Sequence, residues 1–279
     1  MRNKRIPLFI LILVFLFLVV TVWSMLAPVL YPVDLGATNL RERLKMPAIF
    51  GISDSGHLLG TDYLGRDFGI RLLYATRVSI ILAFVGLFFA LILGVLLGVI
   101  AGMFGGIADD VIAFFINARH SVPSVLIGII VATVFGSTEV MLIILTAVIQ
   151  WTKFARQTRA KVLEVRQEKF IESSRAIGAS TTRILWEHML PNIASPLIVT
   201  ATMSLSSIIL FESTLSYLGL GIQPPNASLG VMVAAGRDQL ITQWWQTIIP
   251  AAVIVLIVMT ASILGDWLRD RLDPKLRDR

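Results

Sequence analysis

Long apolar runs dominate this chain and are separated by shorter polar stretches. A helix needs about 20 mostly apolar residues to cross the ~30 Å hydrocarbon core of a bilayer, at ~1.5 Å per residue. Six stretches meet or approach that length and are predicted to be transmembrane helices: 6–33, 78–108, 111–135, 140–152, 189–211 and 248–264. The fourth is short and requires packing inside a helix bundle.

Two of these runs carry further structural signals. Glycines in the second run recur at multiples of four residues, at positions 86, 94, 98 and 102, so they share one helix face. Such a stripe lets two helix backbones approach closely in lipid, and we expect it to be a packing face. Pro123 in the third run predicts either a kink, because proline removes a backbone hydrogen bond, or a smoothly curved helix.

Composition supports the membrane assignment. Of 279 residues, 56% are hydrophobic and 15% are charged, against ~25% charged in soluble domains. This excludes a soluble enzyme and a disordered chain. No cysteine is present, so a disulfide framework and a thiolate metal site are excluded. The first run is too long for a cleaved signal peptide, which favours an uncleaved first span.

The distribution of basic residues predicts the topology. Of the 24 Lys and Arg residues, 16 lie in the first five residues, in 153–192 or after 268, against six in 31–77 and one in 218–247. Basic residues concentrate on the cytoplasmic side of a membrane protein. We therefore expect both termini and the 153–192 loop in the cytoplasm, and we expect the basic excess to report topology rather than nucleic-acid binding.

The long loop after the fourth span has a regular pattern of its own. Residues 164–177 contain good helix formers, and Gly178 stands where a helix C-cap of positive φ is expected. Ser180 or Thr181 then caps a second short helix, which Pro191 is predicted to end.

The apolar face of the first short helix, Phe170, Ser174 and Ile177, is too small to be a domain core. The two helices are therefore expected either to lie on the lipid surface or to dock in a groove of a partner protein.

Catalytic signatures are missing from the sequence. No Gly-x-x-x-x-Gly-Lys-Ser/Thr motif is present, so any ATP hydrolysis must come from another chain. His57, His120 and His188 fall in three predicted compartments, which excludes a shared metal site. Glu212 and Asp266 are predicted to be interfacial charges.

Arg119 lies within the third apolar run. It is predicted either to sit at the cytoplasmic interface with its side chain snorkelling, or to face a cavity or a partner.

The segment ESSRAIGAS at 172–180, followed by HMLPN at 188–192, resembles the EAA loop of ABC importer permeases. In that loop the two small residues are Ala, and here they are Ser. The resemblance assigns ATPase coupling to Glu172, Ser173, Ser174, Gly178, His188, Leu190 and Pro191.

Four further segments, at both ends of the chain and in its middle, indicate which group of permeases the chain resembles. GTDYLGRD at 60–67, GGIAD at 105–109, LSYLGLG at 215–221 and GDWLRDRLDP at 265–274 resemble motifs of the C-type permeases of the dipeptide/oligopeptide/nickel family. The residues of these motifs that we assign structural roles are Gly60, Thr61, Asp62, Gly65, Arg66, Asp67, Gly219, Gly221, Asp266, Arg269 and Asp270.

The resemblance implies an all-α integral membrane protein of the type I ABC importer permease fold, with six transmembrane helices and cytoplasmic coupling helices. The expected organisation is a tail and first helix at 1–33, an extracytoplasmic loop at 34–74, a transmembrane core at 75–266 with its coupling loop at 156–192, and a cytoplasmic tail at 267–279.

The implied function is ATP-driven import of dipeptides or oligopeptides across the cytoplasmic (inner) membrane, by a chain that is not itself an enzyme. The implied partners are a B-type permease, two cytoplasmic ATPases that hold ATP and Mg²⁺, an extracytoplasmic solute-binding protein and membrane lipid; no cofactor is expected on this chain, and no nucleic acid. Import of nickel or a metal chelate is the alternative. A secondary transporter or channel subunit is a more distant one, because no internal repeat, filter or acidic ring is evident.

Overall fold

The computed structural model describes residues 7–50 and 56–272. These form nine α-helices, three short 3-10 helices (Leu40–Glu42, Ala48–Phe50 and Arg237–Gln239) and, in place of a sheet, one antiparallel bridge between Thr61 and Asp67. The helices are α1 (Leu8–Leu30), α2 (Phe68–Phe104), α3 (Gly106–Ser121), α4 (Ser124–Phe135), α5 (Glu139–Arg166), α6 (Lys169–Ala176), α7 (Thr181–Leu220), α8 (Leu229–Gly236) and α9 (Trp245–Leu272).

Four of these helices, α1, α2, α7 and α9, are long and apolar enough to cross a membrane. Taken together, α3 and α4 are also long and apolar enough to cross a membrane, although the pair is bent by 87°. The remaining predicted span, 140–152, is the first half of α5, which continues without interruption to Arg166. The count of six spans therefore stays a prediction, whereas the all-helical membrane architecture is confirmed.

The bundle is built on the pairing of α2 with α5. A Cβ atom added at Gly94 would lie 2.6 Å from the carbonyl oxygen of Trp151, and one added at Gly98 would lie 2.6 Å from that of Ala155. Gly86 and Gly102 face Thr146 and Val162 of α5 in the same way. The predicted glycine stripe is thus a packing face, because only glycine permits this approach of two backbones.

The chain turns sharply at Pro123, so that the bend is stronger than the predicted kink. α3 ends at Ser121, Val122 is extended, and Pro123 stands just before α4. Proline disfavours the helical conformation in the residue before it, so the chain leaves α3 at Val122. A smoothly curved third span is therefore excluded.

The helix α1 lies at the edge of the bundle against α2 and α9. Almost all of its apolar surface is exposed on this chain, and its buried residues are Ser24 and Ala27. The core is formed instead by α2, α5, α7 and α9, through side chains such as Phe154, Ile208 and Ile257.

Candidate functional site

Six of the seven predicted coupling residues lie in a helical elbow, residues 169–190, which follows the C-terminal end of α5, and Pro191 comes directly after it. It consists of α6, a turn, and the first ten residues of α7. Ile171, Ile184 and Met189 are fully or almost fully buried and anchor the elbow to the bundle. The rings of Phe170 and His188 meet edge to face, with 5.8 Å between their centroids.

The expected continuous helix over 164–177 is wrong. α5 ends at Arg166, and α6 begins at Lys169 after one turn. In an unbroken helix, Val162 and Ile171 would lie on opposite faces, since nine residues at ~100° each make two and a half turns. Both are fully buried, and the break turns Ile171 back towards the bundle.

Gly178 closes α6 as predicted. Its φ is +84°, the left-handed conformation that glycine adopts without a steric penalty. The N–H of Gly178 donates to Arg175 O and that of Ala179 to Ser174 O, both at 3.0 Å. These two bonds are the Schellman pattern, which satisfies carbonyls left open at the helix end.

Ser180 caps the second helix, as predicted, by accepting a bond from the N–H of Arg183 at 3.3 Å. The prediction that Pro191 ends this helix is wrong, because the chain stays helical well past it, through the segment Leu190–Leu215. Residues Ile184–Met189 form a wider π-turn, and Pro191 occupies the first turn of the α-helical segment Leu190–Leu215. Proline is tolerated in a first turn, where its missing N–H costs little.

The surface of the elbow is polar but includes three large apolar side chains, those of Phe170, Ile177 and Trp186. Ile177 is 86% exposed and Trp186 is 71% exposed. Phe170 and Ile177 of the predicted apolar face are thus exposed, and the buried anchor is Ile171, which the sequence analysis did not single out. Residue spacing alone missed this, because the break after α5 rotates α6 about its axis.

The remaining predicted coupling residues have modest contacts. Glu172 and Ser173 are exposed, and within the described residues Glu172 makes no ion pair, including with Arg175. The Ser174 hydroxyl donates to Phe170 O at 2.8 Å and lies 3.4 Å from His188 Nε2. Leu190 is half-buried and Pro191 exposed.

The segment at the other end of α2 forms a cap, residues 34–50 and 56–67, centred on Asp62. This carboxylate is 5% exposed and accepts bonds from Arg66 Nε at 2.7 Å, from Arg71 Nη1 at 2.9 Å and from the N–H groups of Leu64 and Arg66 at 2.8 and 3.0 Å. Two cations and one anion are thus buried together, and each carboxylate oxygen is satisfied.

Thr61 and Asp67 tie the cap to neighbouring elements. The N–H of Lys45 donates to Thr61 Oγ1 at 2.9 Å, and Gln246 Nε2 of α9 donates to Thr61 O at 3.0 Å. Asp67 caps α2 by accepting the N–H of Ile70 at 2.8 Å, and it meets His57 Nδ1 at 2.6 Å. Gly60 and Gly65 have positive φ, and a Cβ at either would collide with backbone, of Lys45 and Asn39 respectively.

The prediction that Glu212 is an interfacial charge is wrong. It is 2% exposed in the middle of the bundle, not an interfacial charge. Ser216 Oγ donates to its Oε1 at 2.6 Å and lies 3.1 Å from Ser228 Oγ. A little further on, Gly219 has φ +82°, and Gly221 lies against Ser216 with no room for a Cβ.

The motif residues near the end of α9, Asp266, Arg269 and Asp270, are exposed. Arg269 lines a cavity of about 710 Å³ together with Lys161 of α5 and Asn192 of α7. No group of His, Asp or Glu residues able to hold a metal ion occurs among the described residues. His57, His120 and His188 are in separate places, in the cap, at the end of α3 and in the elbow.

Comparison with known proteins gives this arrangement a family. Residues 94–278 match the family model described as "Binding-protein-dependent transport system inner membrane component". The chain is 34% identical over 260 residues to the dipeptide transport system permease protein DppC of Haemophilus influenzae, covering 93% of this chain and 88% of that protein. It is 33% identical over 276 residues to the oligopeptide transport system permease protein OppC of Bacillus subtilis, covering 99% and 88%.

A solved structure agrees in fold. A chain of the MetNI methionine ABC transporter in an inward-facing conformation superposes with a TM-score of 0.58 at 20% identity, covering 73% of this chain and 96% of that one. Together with the all-helical bundle, this confirms the predicted fold class. The chain belongs to the family of inner-membrane components of binding-protein-dependent transport systems.

Proposed function

We propose that this chain is a permease subunit of an ATP-driven importer that carries dipeptides and oligopeptides across the cytoplasmic membrane. The observation that carries the proposal is the likeness, at 33–35% identity over more than nine-tenths of the chain, to permeases named for dipeptide, di/tripeptide and oligopeptide transport. These names favour peptides over nickel as the substrate.

The elbow supports the coupling half of this proposal. Its base is anchored by Ile171 and Met189, while Ile177, Trp186 and Glu172 stand exposed beyond the bundle. An amphipathic helix with exposed anchors is suited to a groove in another protein. In this proposal the groove belongs to a cytoplasmic ATPase subunit, so the elbow, both termini and the cavity at Arg269 are cytoplasmic, whereas the cap faces the solute-binding protein.

Transport proceeds by alternating access between this chain and a second, B-type permease. ATP binding draws the two ATPases together and displaces their grooves, and each groove carries an elbow with it. Because Ile171 and Met189 are packed into the core, the displacement is passed to α5 and α7 as a rigid movement. The free energy comes from the different affinity of nucleotide for the two states, and the elbow transmits it.

The test is uptake by the whole complex. The chain, the second permease, both ATPases and the binding protein are reconstituted in proteoliposomes, and ATP-dependent accumulation of isotope-labelled dialanine and of ⁶³Ni²⁺ is measured in parallel. We expect dialanine to accumulate only with ATP and the binding protein. Accumulation of nickel without dialanine would contradict the peptide assignment, and uptake without ATP would contradict the importer class.

A further inference from the structure

Four basic side chains converge where α3 ends against α5: Arg119, His120, Lys153 and Arg156. His120 lies within electrostatic range of the other three, and Lys153 within range of Arg119. None of the four makes an ion pair within the described parts of the chain. Like charges repel when brought together, so an anion bound among Arg119, Lys153 and Arg156 would be stabilised by all three.

The cluster lies alongside the apolar length of α2. Gly94 of α2 packs directly against Trp151 and Phe154 of α5, which places Lys153 at the level of Gly94. Ten residues separate Gly94 from Phe104 at the end of α2, a distance of ~15 Å. Lys153, which the charge pattern assigns to the cytoplasmic loop 153–192, therefore lies instead beside the uncharged run from 78 to 108 of α2.

Charged side chains at such a depth face a water-filled cavity or a partner rather than lipid. His120, Lys153 and Arg156 are exposed on this chain, so they are open to such a space. Arg119 is half-buried. Its Nη2 donates to Ser124 Oγ at 2.6 Å across the break between α3 and α4, and its Nε has no hydrogen-bond partner among the described residues.

A neighbouring arginine on α5, unlike these side chains, has an acidic partner. Arg159, one turn further along α5 from Arg156, binds both oxygens of Asp109, with its Nε and Nη2 at 2.5 and 2.6 Å. Asp110 is also within electrostatic range of Arg159. Asp109 is thus bonded to Arg159, whereas Arg119, Lys153 and Arg156 have no acidic partner among the described residues.

We propose that Arg119, His120, Lys153 and Arg156 form an anion-binding site on the translocation path that receives the C-terminal carboxylate of the passing peptide. This inference rests on the proposed function. The carboxylate is common to peptides of every sequence, so a site for it assists passage without selecting side chains. Charge-assisted bonds from Arg and Lys to a carboxylate are short and strong, and the α3–α4 break places Arg119 where a rearrangement of these helices alters the site.

The experiment uses a zero-length cross-linker on the transporting complex. A water-soluble carbodiimide joins a carboxylate to an adjacent lysine amine as an amide. Proteoliposomes of phosphatidylcholine, which lacks net negative charge, hold the full complex during ATP-driven uptake of isotope-labelled dialanine, and the linked peptides are identified by mass spectrometry. We expect dialanine on Lys153 at a level at least tenfold above that on Lys169, an exposed lysine without an ion pair.

The chain supplies its own positive control. Lys161 Nζ lies 2.6 Å from Glu164 Oε2, so their intrachain cross-link reports that the reagent has worked. With that link present and uptake normal, absence of dialanine on Lys153 overturns the proposal. A cross-link from Lys153 to an acidic side chain of the second permease also overturns it, in favour of a subunit interface.

Uptake gives the second measurement. We expect Lys153→Gln and Arg156→Gln to lower dialanine imported per ATP hydrolysed at least tenfold, and Lys153→Arg to restore most of it. Arg237→Gln, at the exposed ion pair with Asp238, should leave it unchanged. An unchanged ratio in Lys153→Gln overturns the inference alone. Failure of the unmodified complex to import dialanine contradicts the proposed function, and with it the inference that rests on it.

Discussion

The cap and the elbow lie at opposite ends of α2 and use charge in opposite ways. In the cap, Asp62 is buried with Arg66 and Arg71, and every oxygen of its carboxylate is bonded. In the elbow, Glu172 is exposed without an ion pair in the described structure, beside the 86%-exposed Ile177. The cap satisfies its polar groups internally and is built for rigidity. The elbow leaves the carboxylate of Glu172 and the side chain of Ile177 open, as expected of a surface completed by a partner.

The positive-φ glycines of the cap and the elbow also differ in their surroundings. Gly65 and Gly178 both have positive φ, +75° and +84°. A Cβ at Gly65 would collide with the backbone of Asn39, whereas a Cβ at Gly178 would have no atom within 4 Å. Gly65 is therefore required by both conformation and space, and Gly178 by conformation alone.

The largest expected effect comes from breaking the ion triad of the cap. Asp62→Ala leaves two buried guanidinium groups without their anion, and breaking a buried pair in this way costs ~3–5 kcal/mol. We expect a fall of that size in stability and a loss of assembled complex, measured by thermal unfolding and subunit stoichiometry in nanodiscs. Asp238→Ala removes the exposed pair with Arg237 and should cost less than ~1 kcal/mol. Equal effects would show that the triad is not a stabilising centre.

The two glycines provide the next largest effect. Gly178→Ala should cost ~1–2 kcal/mol for the left-handed conformation alone. Gly65→Ala adds a backbone collision, and overpacking typically costs a further ~1–3 kcal/mol. We expect the thermal midpoint of Gly65→Ala to lie clearly below that of Gly178→Ala. The reverse order would contradict the close approach of Gly65 to Asn39.

Changes in the elbow are expected to alter coupling more than stability. Gly178→Val should misdirect the chain after α6, and Glu172→Gln removes an unpaired exposed charge. We expect each to lower substrate-stimulated ATP hydrolysis of the whole complex in nanodiscs about tenfold, equivalent to ~1.4 kcal/mol, with all subunits present. Gly178→Asn is the matched control, since asparagine tolerates positive φ. Wild-type stimulation in Gly178→Val would exclude the elbow as the transmission element.

The smallest expected effect concerns an exposed ion pair of the cap. Lys45 Nζ lies 2.9 Å from Glu42 Oε1. This hydrogen bond, and to a smaller extent the one from His57, holds the pKa of Glu42 below its ordinary value. A lowered carboxyl pKa contributes stability above the unfolded pKa, and this contribution is lost as the pH falls through the folded pKa. Lys45→Met should therefore lower the thermal midpoint slightly at pH 7 and less at acid pH. Lys169→Met should show no such pH dependence, and a wider gap at acid pH would reverse the assigned sign.

Features that depend on local backbone chemistry were predictable from the sequence. The glycine stripe of α2, the positive φ of Gly178 and the cap at Ser180 were all confirmed. Each depends on a property of one residue type, such as the missing Cβ of glycine or the hydroxyl of serine near a free N–H. The coarse assignment of an all-helical membrane bundle follows in the same way from the length of the apolar runs.

Features that depend on distant contacts were not predictable. The break after Arg166 carries neither glycine nor proline, and it arises because Val162 and Ile171 must both be buried. Glu212 stands at the edge of an apolar run in sequence, yet α7 continues past it and buries it beside Ser216 of the same helix, which in turn meets Ser228 just before α8. Pro191 is accommodated by the π-turn before it, which no propensity predicts.

The sequence by itself determined the class of protein, because apolar content, run length and the spacing of glycines act through the solvent and the backbone and need no knowledge of the fold. Only the tertiary structure decided which charges are paired. Arg66 and Arg71 meet Asp62 in the cap, Arg159 meets Asp109, and Lys153 and Arg119 come together without an acid. These partners lie up to 50 residues apart, and since electrostatic energy depends on distance and burial, their roles follow from packing alone.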